Sequence, residues 1–492
     1  MSKLTFSSTS AVALKGASIQ VFAAPQAFFA KNWLGQIDGA KLPKNVLAAA
    51  KAAEPGTSAK IIKSLLSDDG KSSCVICVLP DSVSRHNSPS RADAIRAAMG
   101  SAGIAGENNV AVVLGLDEDD QYLAAANAVG AKLPLFTRKG GMKATAGSVK
   151  IAAVGKDGKA ITPSKIVKET VAAGRWAASM VDTHPEEMTT AILAREAKKL
   201  VKGLADVKVS EIVGPDLLKK NLGGVHAVGR AASVAPRMLI MKYQPKGAKK
   251  TWSLVGKGVI FDTGGLSLKI GGNMCSMKGD MGGGAAVIGA FRALASTGFK
   301  DAVVALIPMA ENAIGPKAYR NDDIITMHSG KTVEINNTDA EGRILLADAV
   351  SYAARVIKPS VIVDAATLTG AQLIATGLRH AGIVSNREGV ETRVVETGRA
   401  CGDLAHALPF APEFYQAEFA SKCADMKNSV ANRANAQSSC AAQFIYSHIE
   451  DINPAWLHID LAGPAWREGR GTGFGVALMS QLLRSLKTGD LK

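Results

Sequence analysis

The chain has 492 residues, 47% hydrophobic and 21% charged, a composition that supports a sizeable core and excludes bulk disorder. Its length argues for roughly two to four domains. The net charge of +15 is divided almost evenly between residues 1–170 (+8) and the rest (+7), so no basic tail or stripe marks a nucleic-acid surface, and none is expected.

No stretch reaches the ~18 uninterrupted apolar residues of a membrane span, so no membrane partner is expected. The opening MSKLTFSSTSAVALKG has hydroxyl residues where a secretory signal needs an apolar core, and it is poor in Arg. Six irregularly spaced cysteines (Cys74, Cys77, Cys275, Cys401, Cys423, Cys440) fit a reducing compartment, and the expected location is cytoplasmic. Cys74 and Cys77 form a C-x-x-C inside CVICVLP, an apolar run that reads as a buried strand. No second Cys or His pair completes a metal site there.

Apolar strand-like runs alternate with Ala-rich helical stretches throughout, the pattern of an α/β protein. SIQVFAA, SSCVICVLP and NVAVVLGL read as strands, and NVLAAAKAAE, RADAIRAAMGSAG and DDQYLAAANAVGA as helices. TRKGGMKATAGSVK, with three Gly and no apolar period, reads as a loop. From Ser164 a helix runs towards the His184-Pro185 break. It is predicted to connect, over 164–181, a smaller N-terminal α/β domain (1–163) to a larger C-terminal α/β domain (182–492) with a mixed sheet flanked by helices.

In that second domain TWSLV and GVIF read as strands before Asp262, AVVALIPMA as one before Glu311-Asn312, SVIVDA as one before Thr367, and WLHIDLA as a later one. GGGAAVIGAFRALASTG and GRILLADAVSYAARVIKP read as helices, ending at Gly298 and before Pro359. Ligands of open α/β sheets bind beyond the carboxyl ends of strands, where these acidic residues fall.

Three segments concentrate charge beside Gly: GKGVIFDTGGLSLK (256–269), MKGDMGGGAA (277–286) and EINNTDAEGRILLADA (334–349). A single carboxylate at a helix start is a cap. Asp262, Asp280, Asp339 and Glu341 together, at the strand ends of one sheet, repel one another unless cations neutralise them. Carboxylates two positions apart on a turn can converge on a divalent cation, with Gly342 letting the backbone turn. Lys257 and Lys269, flanking Asp262, can offset that charge, ligate a metal when neutral, or polarise a carbonyl. The eight histidines form no H-E-x-x-H, Gly256-Lys257-Gly258 is no phosphate loop, and G-x-S-x-G is missing.

Read together, these segments resemble the cytosol leucyl aminopeptidase family. NTDAEGR stands unbroken at 337–343 as that family's signature. VGKGVIFDTGGLSLK, MKGDMGGGAAV, DAATLTGA (364–371) and WLHIDLAGPAW (456–466) match further motifs in order. The resemblance covers about 180–490. It implies a metal-dependent exopeptidase that releases leucine and similar apolar residues from peptides with a free N-terminus, by attack of a water activated between two metal ions. By position, Lys257, Asp262, Asp280, Asp339 and Glu341 would hold two divalent cations (Zn²⁺ or Mn²⁺, with Co²⁺ or Mg²⁺ as alternatives), Asp262 and Glu341 being shared. Lys269 would bind substrate and stabilise the oxyanion, and Arg343 would hold a bicarbonate anion as proton shuttle. Met277, Thr367, Leu368 and Gly370 would line the side-chain pocket, and the family assembles as homohexamers. Residues 317–323, KAYRNDD, lack the usual Pro-Gly. Two other readings are a DNA-binding member of the same family, against which the even charge argues, and a metal-binding scaffold without catalysis, against which Lys269 and Arg343 argue.

Overall fold

The computed structural model describes residues 2–67, 71–106, 108–140 and 147–491, and all statements of number or absence below concern these residues. The chain forms two compact units, residues 1–175 with 398–404, and residues 176–397 with 405–492. The division falls inside the helix Lys165–Asp182.

The first unit is built on a seven-stranded sheet in the order Lys3–Phe6, Ser148–Gly155, Val110–Leu116, Ile19–Pro25, Ser73–Leu79, Lys60–Leu65, with Ala160–Ile161 paired to the second of these. Its central pairs are parallel, and their residues read as nearly continuous apolar runs because both faces are covered. Cys74 and Cys77 are fully buried in Ser73–Leu79, as free thiols. The stretch read as a loop over 137–150 is corrected at its end. Ser148–Lys150 open a strand whose Val149 and Ile151 are buried, while residues 141–146 lie outside the described residues.

The second unit carries a nine-stranded mixed sheet. Four strands at its centre, Trp456–Asp460, Val361–Ala366, Thr251–Gly256 and Ala302–Asn312, run parallel. Ala381–Ser385 on one side and Arg237–Tyr243 with Val207–Val213 on the other add antiparallel pairs. The helix Gly282–Ser296 is buried nearly all round, as its uniformly apolar sequence requires. The helix Glu341–Tyr352 continues into a π-helical turn, Ala353–Ile357, and stops on Lys358 in the left-handed conformation. No helix is long and apolar enough to cross a membrane.

The site is positioned by a fork in this sheet. Thr251–Gly256 pairs with strands on both sides as far as Gly256 opposite Ala365. After Lys257 the chain continues as Gly258–Asp262 and pairs only with Ala302–Asn312, with Gly258 opposite Met309 and Asp262 opposite Asn312. Lys257 N still donates to the Ala365 carbonyl at 3.1 Å. A gap therefore opens beyond the carboxyl ends of two parallel strands, where ligands of such sheets bind.

Candidate active site

Lys257 stands in the fork, and Asp262 ends the strand that leaves it. Asp280 follows the 3₁₀ turn Met277–Gly279, and Glu341 is the first residue of its helix. All four are buried. Asp262, Asp280 and Glu341 each offer an oxygen such that the three lie within 4.8 Å of one another. Lys257 Nζ is 2.7 Å from Asp280 Oδ1, 2.9 Å from Glu341 Oε1 and 3.0 Å from the Thr367 carbonyl. Gly342 makes this possible by its size. A methyl group there would stand 2.6 Å from Lys257 Nζ, and its backbone is helical, so space and not a turn is the reason for Gly.

Lys269 Nζ reaches back to Asp262 Oδ2 at 2.8 Å and Asp339 Oδ1 at 2.6 Å. The return is made by Gly264 and Gly265, at φ of +84° and +62°, a conformation that favours Gly. The carboxylates do not, as expected from sequence, all come from the ends of one sheet. Asp280 lies between the 3₁₀ turn Met277–Gly279 and the helix from Gly282, Glu341 begins a helix, and the strand before NTDAEGR, Thr332–Glu334, belongs to a separate three-stranded sheet.

Burial raises Asp280 well above the ordinary carboxylate range, and the charges of Glu341 and Asp262 add to it against the pull of Lys257. Burial also raises Glu341, with Asp262 beside it, and raises Asp339. Burial acts to lower the Lys257 ammonium, but Asp280, Glu341 and Asp262 outweigh it and hold the group above the usual lysine value. Asp280 Oδ2 is buried and without a hydrogen-bond partner. A crowd of buried carboxylates with one oxygen left unbonded suits a divalent cation, and the residues fit such a group.

Arg343 is buried two residues past Glu341, and burial, against the pull of Glu341, draws its guanidinium down to about 10. Its one hydrogen bond runs from Nη1 to the Asn428 carbonyl at 3.1 Å. Thr367 Oγ1 donates to Asp280 Oδ1 at 2.8 Å, and Leu368 N donates to Asp460 Oδ1 at 3.1 Å. Met277 meets the cluster through its backbone, its carbonyl accepting from Asp280 N at 3.2 Å. Gly370 is exposed, and an added methyl would touch nothing within 4 Å, so packing within this chain does not require its smallness.

Sequence reading passed over the residues that hold these loops. Asn428, fully buried, accepts from Asn336 N and Asn337 N and donates to the Asn337 carbonyl at 2.7 Å. Asp460 accepts from Leu368 N and from Thr369 Oγ1 at 2.6 Å. Tyr319, inside the atypical KAYRNDD, donates to the Thr338 carbonyl at 2.6 Å. The one signal was a polar residue closing an apolar strand, true of Asn312 and Asp460 as of Asp262.

A forked parallel sheet with buried carboxylates and ammonium groups beyond its strand ends is an arrangement suited to metal-dependent hydrolysis. The profile of the cytosol aminopeptidase family catalytic domain matches residues 175–480, and that of the M17 aminopeptidase N-terminal domain 2 matches residues 35–142. A probable aminopeptidase, NPEPL1 of Mus musculus, is 45% identical over 414 residues, covering 83% of this chain and 78% of the relative. The leucyl aminopeptidase from Trypanosoma cruzi superposes with a TM-score of 0.90 at 34% identity, over 98% of this chain and 97% of that one. The bottromycin maturation enzyme BotP, solved in complex with Mn, does so with 0.78 at 26% identity, over 95% and 99%. The chain belongs to the cytosol aminopeptidase family. It is a metal-dependent exopeptidase, a hydrolase that removes N-terminal residues.

Proposed function

We propose that this aminopeptidase acts on peptides with an apolar N-terminal residue, leucine foremost, and that residues 182–492 hold the whole catalytic apparatus. The observation that carries this is the cluster of Asp262, Asp280 and Glu341 around Lys257 at the sheet fork. Lys257, Asp262, Asp280, Asp339 and Glu341 would hold two divalent cations, with Asp262 and Glu341 shared. Oxygen-rich sites with one amine suit Mn²⁺ or Zn²⁺, with Co²⁺ or Mg²⁺ as substitutes. Such a pair supplies Lewis acidity towards the scissile carbonyl and activates water near neutral pH.

The protein's own groups do the rest. Lys269 lies at the mouth of the cluster, where an ammonium can meet negative charge developing on the carbonyl oxygen. Arg343 spends one N–H on Asn428, so most of its planar fork is available to a bicarbonate anion, which can accept and return a proton. The Thr367–Leu368 segment, fastened to Asp280 and Asp460, would form the pocket wall with Met277 and Gly370.

A homohexameric assembly in the cytoplasm is part of the proposal. Ile270, Ile374 and Phe414 are 76%, 91% and 70% exposed in the single chain, apolar surface that an assembly would cover. The six cysteines are free thiols. Nucleic acid is not proposed as a partner. The test is hydrolysis of leucine amide beside its N-acetylated form and beside aspartate amide. Cleavage of leucine amide alone is expected, and equal cleavage of the acetylated form would contradict the free-amine requirement.

A further inference from the structure

Asn312 closes the strand Ala302–Asn312 and is fully buried. Its side-chain nitrogen donates twice, to Asp262 Oδ1 at 2.8 Å and to the Thr338 carbonyl at 3.0 Å. Both acceptors are oxygens, so the amide orientation follows from chemistry, because the reverse would set oxygen against oxygen. Asp262 Oδ1 also accepts from Gly264 N at 2.9 Å. One carboxylate oxygen is thus satisfied by two neutral protein donors, and the other, Oδ2, is turned to the Lys269 side at 2.8 Å.

Thr338 is the other half of the device. Its carbonyl accepts from Tyr319 as well as Asn312, and its hydroxyl donates to the Gly264 carbonyl at 2.6 Å while accepting from Ser267 N at 2.7 Å. The Asp262–Lys269 loop and the turn bearing Asp339 and Glu341 are therefore tied at one residue, and Asn312 spans the tie. Asn312 Oδ1 is buried with no partner. Leaving a buried acceptor unbonded is destabilising, a cost that a leucine of similar shape would avoid. The amide is therefore not explained by packing.

We infer that Asn312 is a positioning residue of the metal centre, fixing which Asp262 oxygen is spent inside the protein and which is presented to a cation. This rests on the reading of Asp262 as a metal ligand. Two hydrogen bonds on one oxygen restrain rotation about Cβ–Cγ, so Oδ2, paired here with Lys269, is already aimed before a cation arrives. Outer partners of this kind typically contribute about 10–100-fold to metal affinity.

The experiment measures Mn²⁺ affinity of the metal-stripped full chain by competition with a chromophoric chelator, with thermal melting of the metal-free protein as the folding control. Asn312→Leu is expected to bind Mn²⁺ about 10–100-fold more weakly while its metal-free form still melts cooperatively. Tyr319→Phe removes the other donor to the Thr338 carbonyl without touching Asp262, and should bind Mn²⁺ more tightly than Asn312→Leu does. If Asn312→Leu does not fold, Asn312→Ala replaces it with the same expectation. Parent-like affinity in the Asn312 variant, while Asp262→Ala loses binding, would overturn the positioning role. An equal loss in Tyr319→Phe would assign the effect to the Thr338 turn and overturn it as well. Undiminished binding in Asp262→Ala would overturn the metal reading itself and this inference with it.

Discussion

Lys257 Nζ and Asp280 Oδ1 lie 2.7 Å apart with their side chains only 3% and 7% exposed, an ion pair sealed into the fork of the sheet. Removing one member of a buried pair strands the other charge, at a cost of about 3–5 kcal/mol. Lys257→Met should therefore lower the melting temperature of the metal-free protein. Added Mn²⁺ should recover part of the loss, since a cation relieves the same carboxylates. Calorimetry with and without metal checks this, and a metal-free melting point equal to the parent's would refute it.

Lys269 and Arg343 are cations that bind no metal in this account. Loss of one oxyanion donor typically costs about 10²–10³ in kcat, and loss of general acid–base help about 10²–10⁴. Lys269→Ala and Arg343→Ala should keep their metal and fold yet lose kcat on these scales. Arg343→Lys should restore little, because an ammonium lacks the planar fork. Steady-state kinetics paired with elemental analysis decides. Near-parent kcat at full metal content would remove that residue from the mechanism.

Asp262 and Glu341 are assigned to both cations and Asp280 to one. Asp262→Ala and Glu341→Ala should consequently cost more activity and more bound metal than Asp280→Ala. Metal content per chain across the three variants is the measurement, and the opposite ranking would reassign the shared ligands.

Acid should destabilise the protein through two histidines outside the site. Burial draws His448 down to about 3 and His328 to about 4, from an ordinary 6.5. Between about pH 6.5 and those values the unfolded chain binds more protons than the native one. The stability these groups contribute is thus present above pH 6.5 and lost as pH falls through that window, by up to about 1.4 kcal/mol per pH unit for each group. The raised carboxylates Asp280, Glu341 and Asp339 act in the opposite direction, so the histidine contribution is read as the difference between parent and variant. His448→Asn should melt lower at pH 7 but with a shallower acid slope, and an unchanged slope would show that His448 is not the titrating group.

How much of this was legible in sequence depended on range. Asp262, Asp280 and Glu341 announced themselves because each lies within two positions of Gly near an apolar run, and Asp339 because it stands two positions before Glu341, a local pattern. The alternation of strands and helices was local too, and the helix Lys165–Asp182 begins and ends close to the predicted connector. What joins the loops is not local. Asn312 reaches Asp262 across 50 positions, Asn428 reaches Asn337 across 91, and Asp460 reaches Leu368 across 92. The fork at Lys257 was invisible as well, because both halves, Thr251–Gly256 and Gly258–Asp262, are equally apolar and only their partners differ. Gly342 was assigned a turn from its company, whereas the Lys257 side chain that needs the space comes from 85 positions away.

Whether the carboxylates gathered at the fork hold two catalytic cations is decided by removing the metal. The full chain, dialysed against chelator and verified metal-free, is assayed on leucine amide during stepwise return of Mn²⁺ or Zn²⁺, with bound metal counted at each step. No activity is expected without metal, and full recovery is expected at about two ions per chain, the number such paired sites take. Full activity in the verified metal-free protein would contradict it.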